Sequence, residues 1–202
     1  MNKLFGFLSV GAATLLFGCA HPYTIAPDAT RITAPSTKLL NANVGYVISP
    51  SDLAKEVITP GGGGDKVKYT PYKDLEPALF KVLTNTFRRA YPLTSATDKA
   101  TIQAKDITFV FVPLIEADSS SDSAFTWPPT WFKLTLTCQA LDREGKTVWT
   151  KQIVGEGTAS FSEFKSDFPL AARRASEKVI VELQRALIEA PEFRDNPASP
   201  AP

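Results

Sequence analysis

Apolar residues recur along this chain with two periods, and the change of period marks the elements. Over 74–91, Leu75, Leu79, Val82, Leu83 and Phe87 fall at three- and four-residue spacing, which places them on one helix face. Asp74 can cap that helix, Pro77 lies in its first turn, and Pro92 stops it. Over 169–190, Ala172, Ala175, Val179, Leu183, Ala186 and Leu187 form a second stripe. Arg173, Arg174, Glu177, Lys178, Glu182 and Arg185 lie mostly off it, as in an amphipathic helix packed on a sheet. Elsewhere the period falls to two. Phe132, Leu134, Leu136, Cys138 and Ala140 alternate with Lys133, Thr135, Thr137 and Gln139, the pattern of a half-buried antiparallel strand. Asp142-Arg143-Glu144-Gly145-Lys146 supplies a turn. The stretch 147–155 returns with Val148, Trp149, Ile153 and Val154 as its apolar residues. A first strand is predicted over 43–48 and a short edge strand over 66–69. The run 107–112 is apolar on both faces, which suits a central strand covered on both sides or by an oligomer partner.

The order strand, helix, strand, strand, strand, helix predicts an α+β domain: a mainly antiparallel sheet with two helices packed on one face. The crossover through the first helix allows one strand pair to run parallel. The single α+β domain spans 37–190. Residues 20–36 contain Pro22, Pro27 and Pro35 without apolar periodicity, the composition of a tether. The Pro/Ala-rich tail, 191–202, is expected to be disordered.

The N-terminus follows another pattern. Lys3 is the one charge among the first residues, and 4–17 is uncharged and rich in Leu and Phe. This is a basic n-region with an h-region of signal-peptide length, too short to span a bilayer comfortably. It runs into Leu15-Leu16-Phe17-Gly18-Cys19. Leu16, Gly18 and Cys19 resemble the bacterial lipobox, in which the Cys is lipidated and becomes the mature N-terminus. Phe17 departs from the pattern, because a small or aliphatic residue is commoner there. A simple secreted protein and an uncleaved anchor are the competing readings. The lipobox implies a signal peptide over 1–18 and a lipidated N-terminus and tether over 19–36. It also implies a diacylglyceryl group, usually with a further acyl chain such as palmitate. The absence of Asp after the Cys favours the outer membrane by analogy, with the domain facing the periplasm of a Gram-negative bacterium.

Charge narrows the partners. Loss of 1–18 removes one of 22 basic residues and none of the 21 acidic ones, so the mature chain is balanced. Nucleic-acid binding wants a concentrated basic surface, and only the doublets Arg88-Arg89 and Arg173-Arg174 approach one. Of the two Cys, Cys138 then has no partner within the chain. Burial as a small hydrophobe fits its place in the strand, and pairing with another molecule is the alternative.

Candidate chemistry is sparse. The one His, His21, falls in the expected tether, away from any pocket, which disfavours Ser-His-Asp, Cys-His and His-based metal sites. Glu116, Asp118 and Asp122 surround a Ser run without the Gly that a calcium loop needs, and read as a solvated loop. The glycines at 61–64 precede Asp65-Lys66, not the Gly-Lys-Ser/Thr of a phosphate loop, and read as a flexible loop. No cofactor and no metal are expected. The stretch 124–132 holds Phe125, Trp127, Trp131 and Phe132 around a Pro pair. Trp131 and Phe132 can simply begin a strand. Phe125 and Trp127 are the candidates for partner or membrane contact.

The helix ending Phe87-Arg88-Arg89, the hairpin around 142–149 and the C-terminal amphipathic helix resemble the layout of small Gram-negative envelope lipoproteins, including YajG-like and transport-auxiliary lipoproteins. That resemblance implies a non-enzymatic accessory or interaction module in envelope assembly or transport. It carries no catalytic residues over. The function classes left open are an interaction module bound to an envelope protein or to itself, a periplasm-facing small-ligand or lipid-binding protein, and a hydrolase using acids alone.

Overall fold

The computed structural model describes residues 20–35, 40–122 and 127–194. Cys19 and Phe125 lie outside the described residues, as does the tail from 195. In chain order the elements are β1 (Ala20–Pro22), a 3-10 turn (Ala29–Arg31), β2 (Leu40–Val47), α1 (Pro50–Leu53), β3 (Val57–Pro60), β4 (Lys66–Tyr69), α2 (Pro71–Thr86) and β5 (Phe87–Leu93). They continue with α3 (Lys99–Ala104), β6 (Ile107–Ser120), β7 (Trp131–Leu141), β8 (Thr147–Thr158), α4 (Phe161–Phe164), α5 (Leu170–Glu189) and a second 3-10 turn (Pro191–Phe193). The class is α+β, as predicted. A five-stranded sheet has the order β5-β2-β6-β7-β8, and a three-stranded one the order β1-β4-β3.

The hairpin follows the alternation read from sequence. β6, β7 and β8 pair antiparallel over long ladders. At the turn, Asp142 Oδ1 accepts from the amides of Glu144 and Lys146, and Gly145 adopts φ 85°. That left-handed backbone is open to glycine at no steric cost. β2 runs parallel to both β5 and β6, so two strand pairs of the main sheet are parallel where one was allowed for. β6 extends past β2, whose last partner on it is Phe111. Pro113 falls beyond that point, where its missing N–H interrupts no ladder bond with β2. On the same side, the Ile115 amide donates to the Tyr72 hydroxyl at 3.2 Å.

The helix expected over 74–91 is α2, which begins and ends earlier. Pro71 stands at its start, so Pro77 is interior and Asp74 is not its cap. It stops at Thr86, and Phe87 is already extended. The stretch predicted to finish the helix is instead β5, whose place beside β2 outweighs the continuing apolar spacing. Pro92 sits on this edge strand, where a missing donor is tolerated. The second apolar face of 107–112 is covered within the chain. Val110 and Ile107 pack with Leu93 and with Ile102 of α3.

α5 rests on β7 and β8, α2 on β5 and β6, and the helices touch each other. The core between them and the sheet includes Leu79, Leu83, Phe111, Phe132, Leu134, Cys138, Val179 and Leu183. Fully burying one such aliphatic or Phe side chain contributes about 1.5–3 kcal/mol. Two glycines set the depth of the α5 contact. A Cβ on Gly155 would meet Ala175 O at 2.3 Å, and one on Gly157 would meet Ala171 O at 2.0 Å.

Two boundaries need correction. Residues 20–35 are not a free tether. β1 pairs with β4, Ile25 and Ile32 are buried, and the segment crosses both long helices. The Asp74 carboxylate accepts from the Ile25 amide at 2.8 Å, Lys81 Nζ donates to Ala29 O, and Gln184 Nε2 donates to Thr33 O. Arg31 pairs with Glu177 at 2.7 Å. Its apolar residues had no period because the segment follows the surface of two helices, not its own axis. At the other end, Phe193 is buried against Phe87, Phe109, Phe111 and Trp149. The folded body therefore runs beyond 37–190 on both sides.

Candidate functional site

Ala20, next in sequence to Cys19, is already paired with Lys66 of β4. His21 follows and stacks on Trp127, with ring centroids 4.4 Å apart and planes at 28°. Its Nε2 lies 3.6 Å from Asp65 Oδ2, and both side chains are near half exposure. His21 was expected on a tether away from the domain. The β1–β4 pairing brings it onto the surface instead.

Trp127 joins three parts of the chain. Its carbonyl accepts from the Gly62 amide at 3.0 Å, and the Gly61 amide donates to Asp65 O at 2.9 Å. A Cβ on Gly61 would meet Trp127 O at 2.2 Å. The glycine run read as a flexible loop therefore holds the Trp127 backbone closely. On another side the Trp127 ring lies 5.1 Å from that of Phe168. The Phe168 carbonyl accepts from the Tyr23 hydroxyl at 3.2 Å, while its side chain is 47% exposed. Burial holds the Tyr23 hydroxyl above its ordinary pKa, so it remains a donor. Sequence singled out Trp127 by residue type, but its neighbours are 41 to 106 positions away and carried no signal.

The acidic cluster is also rearranged. Glu116 and Asp118 are not in a loop but on β6, facing away from the helices. Asp118 lies opposite Lys133, which lies opposite Glu156. The Lys133 Nζ to Glu156 Oε1 distance is 3.9 Å, so a cation interrupts the acids. The Asp74 carboxyl is held above its ordinary range. Burial is the cause, and its oxygen serves the N-terminal segment. No group of three His, Cys, Asp or Glu could hold a metal ion among the described residues. Cys138 is fully buried, and burial pushes its thiol up to about 12.

The outer face of β6, β7 and β8 has a different character. Its rows read Leu114–Thr137–Gln152 and Glu116–Thr135–Val154. Leu114 is 51% and Val154 50% exposed among these polar residues. Among the described residues β8 is the edge of the main sheet, and α5 covers part of that edge: Lys178 Nζ donates to Glu156 O at 2.6 Å and Arg174 Nη1 to Thr158 O at 2.7 Å. An open groove of about 770 Å³ lies near this edge, between Arg31 and Ile32, the β8 stretch 151–154, and Glu177, Lys178, Val181 and Glu182 of α5. It runs along the open margin of the α5–β8 contact. Among the described residues no helix is long and apolar enough to cross a membrane.

No protein-family model matches the chain, and no curated protein matches it. Solved structures resemble it at low identity. A Xanthomonas campestris protein of the DUF330 family aligns with a TM-score of 0.45 and 9% identity, over 84% of this chain and 90% of that one. A PelC dodecamer from Paraburkholderia phytofirmans gives 0.46 and 12%, over 78% and 95%. A candidate lipoprotein from Caulobacter crescentus gives 0.34 and 13%, over 65% and 85%.

Proposed function

We propose that the chain is an envelope lipoprotein held by lipid on Cys19, and that its domain is a non-enzymatic interaction module. The anchor rests on the uncharged 4–17 stretch and the Leu16, Gly18, Cys19 pattern. Two or more acyl chains make such attachment long-lived, whereas one is marginal. Ala20 at the following position favours the outer membrane, with the domain facing the periplasm. The observation that carries the interaction role is the outer face of β6–β8, where Leu114 and Val154 stay exposed among polar neighbours. The partner is an envelope protein or a further copy of this chain.

Two experiments test the proposal. Cys19→Ala should release the protein from the membrane fraction, and unchanged attachment would remove the anchor reading. A photo-crosslinking residue at Leu114 or Val154 should capture a protein in cells, while the same residue at Glu144 in the hairpin turn should not. Equal silence at all three positions removes the interaction role. A second reading, small-ligand or lipid binding, draws on the groove beside Ile32 and Val181. Lipid or metabolite retained by the purified mature domain would favour it.

A further inference from the structure

We infer that the β1 end of the domain is a second membrane contact, with Trp127 and Phe168 seated at the lipid–water interface beside the acylated residue. This rests on the anchoring proposal. Its starting point is reach. Ala20 is fixed against Lys66 in β1, and adjacent Cα atoms are about 3.8 Å apart. On the anchoring proposal, the lipid is therefore attached one peptide unit from β1. A domain anchored in this way cannot hang clear of the bilayer, so the surface around β1 lies in the headgroup region.

What that surface carries suits the interface. His21 stacks on Trp127, and Trp127 lies beside the half-exposed ring of Phe168. Trp is favoured at headgroup depth because its ring is apolar with one donor. The Trp127 backbone is already tied to Gly62, so seating the ring costs little ordering entropy. The nearby charges are balanced. Lys68 pairs with Glu56 at 2.9 Å, Asp65 lies 3.6 Å from His21, and beside Phe168 the Arg173 guanidinium pairs with Asp167. The contact is therefore apolar, and it should form on zwitterionic lipid and resist salt.

The test uses the lipidated protein extracted from membranes and reconstituted into phosphatidylcholine vesicles with brominated acyl chains, which quench nearby Trp emission. Mass spectrometry of the N-terminal peptide from the same sample reads the acyl group. The wild type should be quenched, Trp127→Phe should lose most of that quenching, and Phe168→Trp should increase it. Unfolding curves of the variants check that the fold is retained. An unacylated sample overturns the anchoring proposal and this inference with it. An acylated sample quenched no more than Trp127→Phe overturns this inference alone. So does capture of a protein, in place of lipid, by a crosslinker at position 127.

Discussion

Gly157→Ala tests whether backbone contact, and not side-chain packing alone, sets the seat of α5. The new methyl would lie 2.0 Å from Ala171 O, 2.7 Å from Ala175 N and 2.9 Å from Arg174 Cβ. Ordinary contact begins near 3.4 Å, so helix and strand must separate by roughly 1.4 Å, and gaps of about 0.5–1 Å already forfeit a quarter to a half of a contact's attraction. The residues that lose contact include Ala171, Ala175 and Val179, all fully buried. Overpacking costs about 1–3 kcal/mol, and backbone on both sides places this case near the upper end. In urea the midpoint should fall by roughly 1–2 M with little change in slope, followed by the emission of buried Trp149. Gly145→Ala is the control. It has φ 85° but nothing within 4 Å, so it carries only the left-handed backbone cost of about 1–2 kcal/mol. If Gly157→Ala costs no more than Gly145→Ala, the helix can slide and the reasoning fails. At Gly155, adding Val179→Ala removes the 2.7 Å contact with Cγ2 but leaves Ala175 O at 2.3 Å, so it should not rescue Gly155→Ala.

Phe193→Ala should cost about 3–5 kcal/mol in the same assay, because its ring packs 5.1–5.6 Å from four aromatic rings. A small effect would return this residue to the tail. Asp74→Ala strands the Ile25 amide and should cost about 1–3 kcal/mol, with the largest gain in hydrogen exchange over 20–35. Asp74→Asn keeps an acceptor and isolates the charge. Burial raises the folded carboxyl above its ordinary 3.8, so its stabilising contribution is complete below 3.8 and is lost as pH rises through the folded value. The stability of Asp74→Asn relative to wild type should therefore grow from pH 3 to pH 7, and a constant or falling difference refutes the assignment. Cys138, with its thiol pushed up to about 12 by burial, should not react with Ellman's reagent at pH 8 until the protein is unfolded; prompt reaction in the native state would contradict its burial.

Sequence was most informative where burial depends on an element's own period. The stripe through Ala175, Val179 and Leu183 and the alternation from Phe132 to Ala140 each face the core as read. The Gly145 turn and the buried Cys138 follow from the same local logic. The misread parts depend on distant neighbours. Phe87 continues the helical spacing of Leu79 and Leu83, yet pairing with β2 makes it extended. Tyr23, Ile25 and Phe193 lie among prolines, and only the completed surface of helices and sheet gives them a place. At the candidate site, Trp127 was visible by residue type. Its contacts with His21, Gly62 and Phe168 are tertiary, and short-range spacing could not reveal them. The position of Glu116 and Asp118 on a strand was missed because the Ser run after them masked the continuing alternation of Ile115 and Ala117.

The crossing of residues 20–35 over α5 has a kinetic consequence. Tyr23, Arg31 and Thr33 find partners 145, 146 and 151 positions later. A chain that emerges from its N-terminus produces these residues early and their docking surface last. The β7–β8 hairpin and its following helix can associate through near neighbours, whereas the first segment must wait for nearly the whole chain. Contacts this distant in sequence slow the approach to the native state. Until the helices are in place, Ile25 and Ile32 lack the surface that buries them, and residues 20–35 are the part most open to a chaperone.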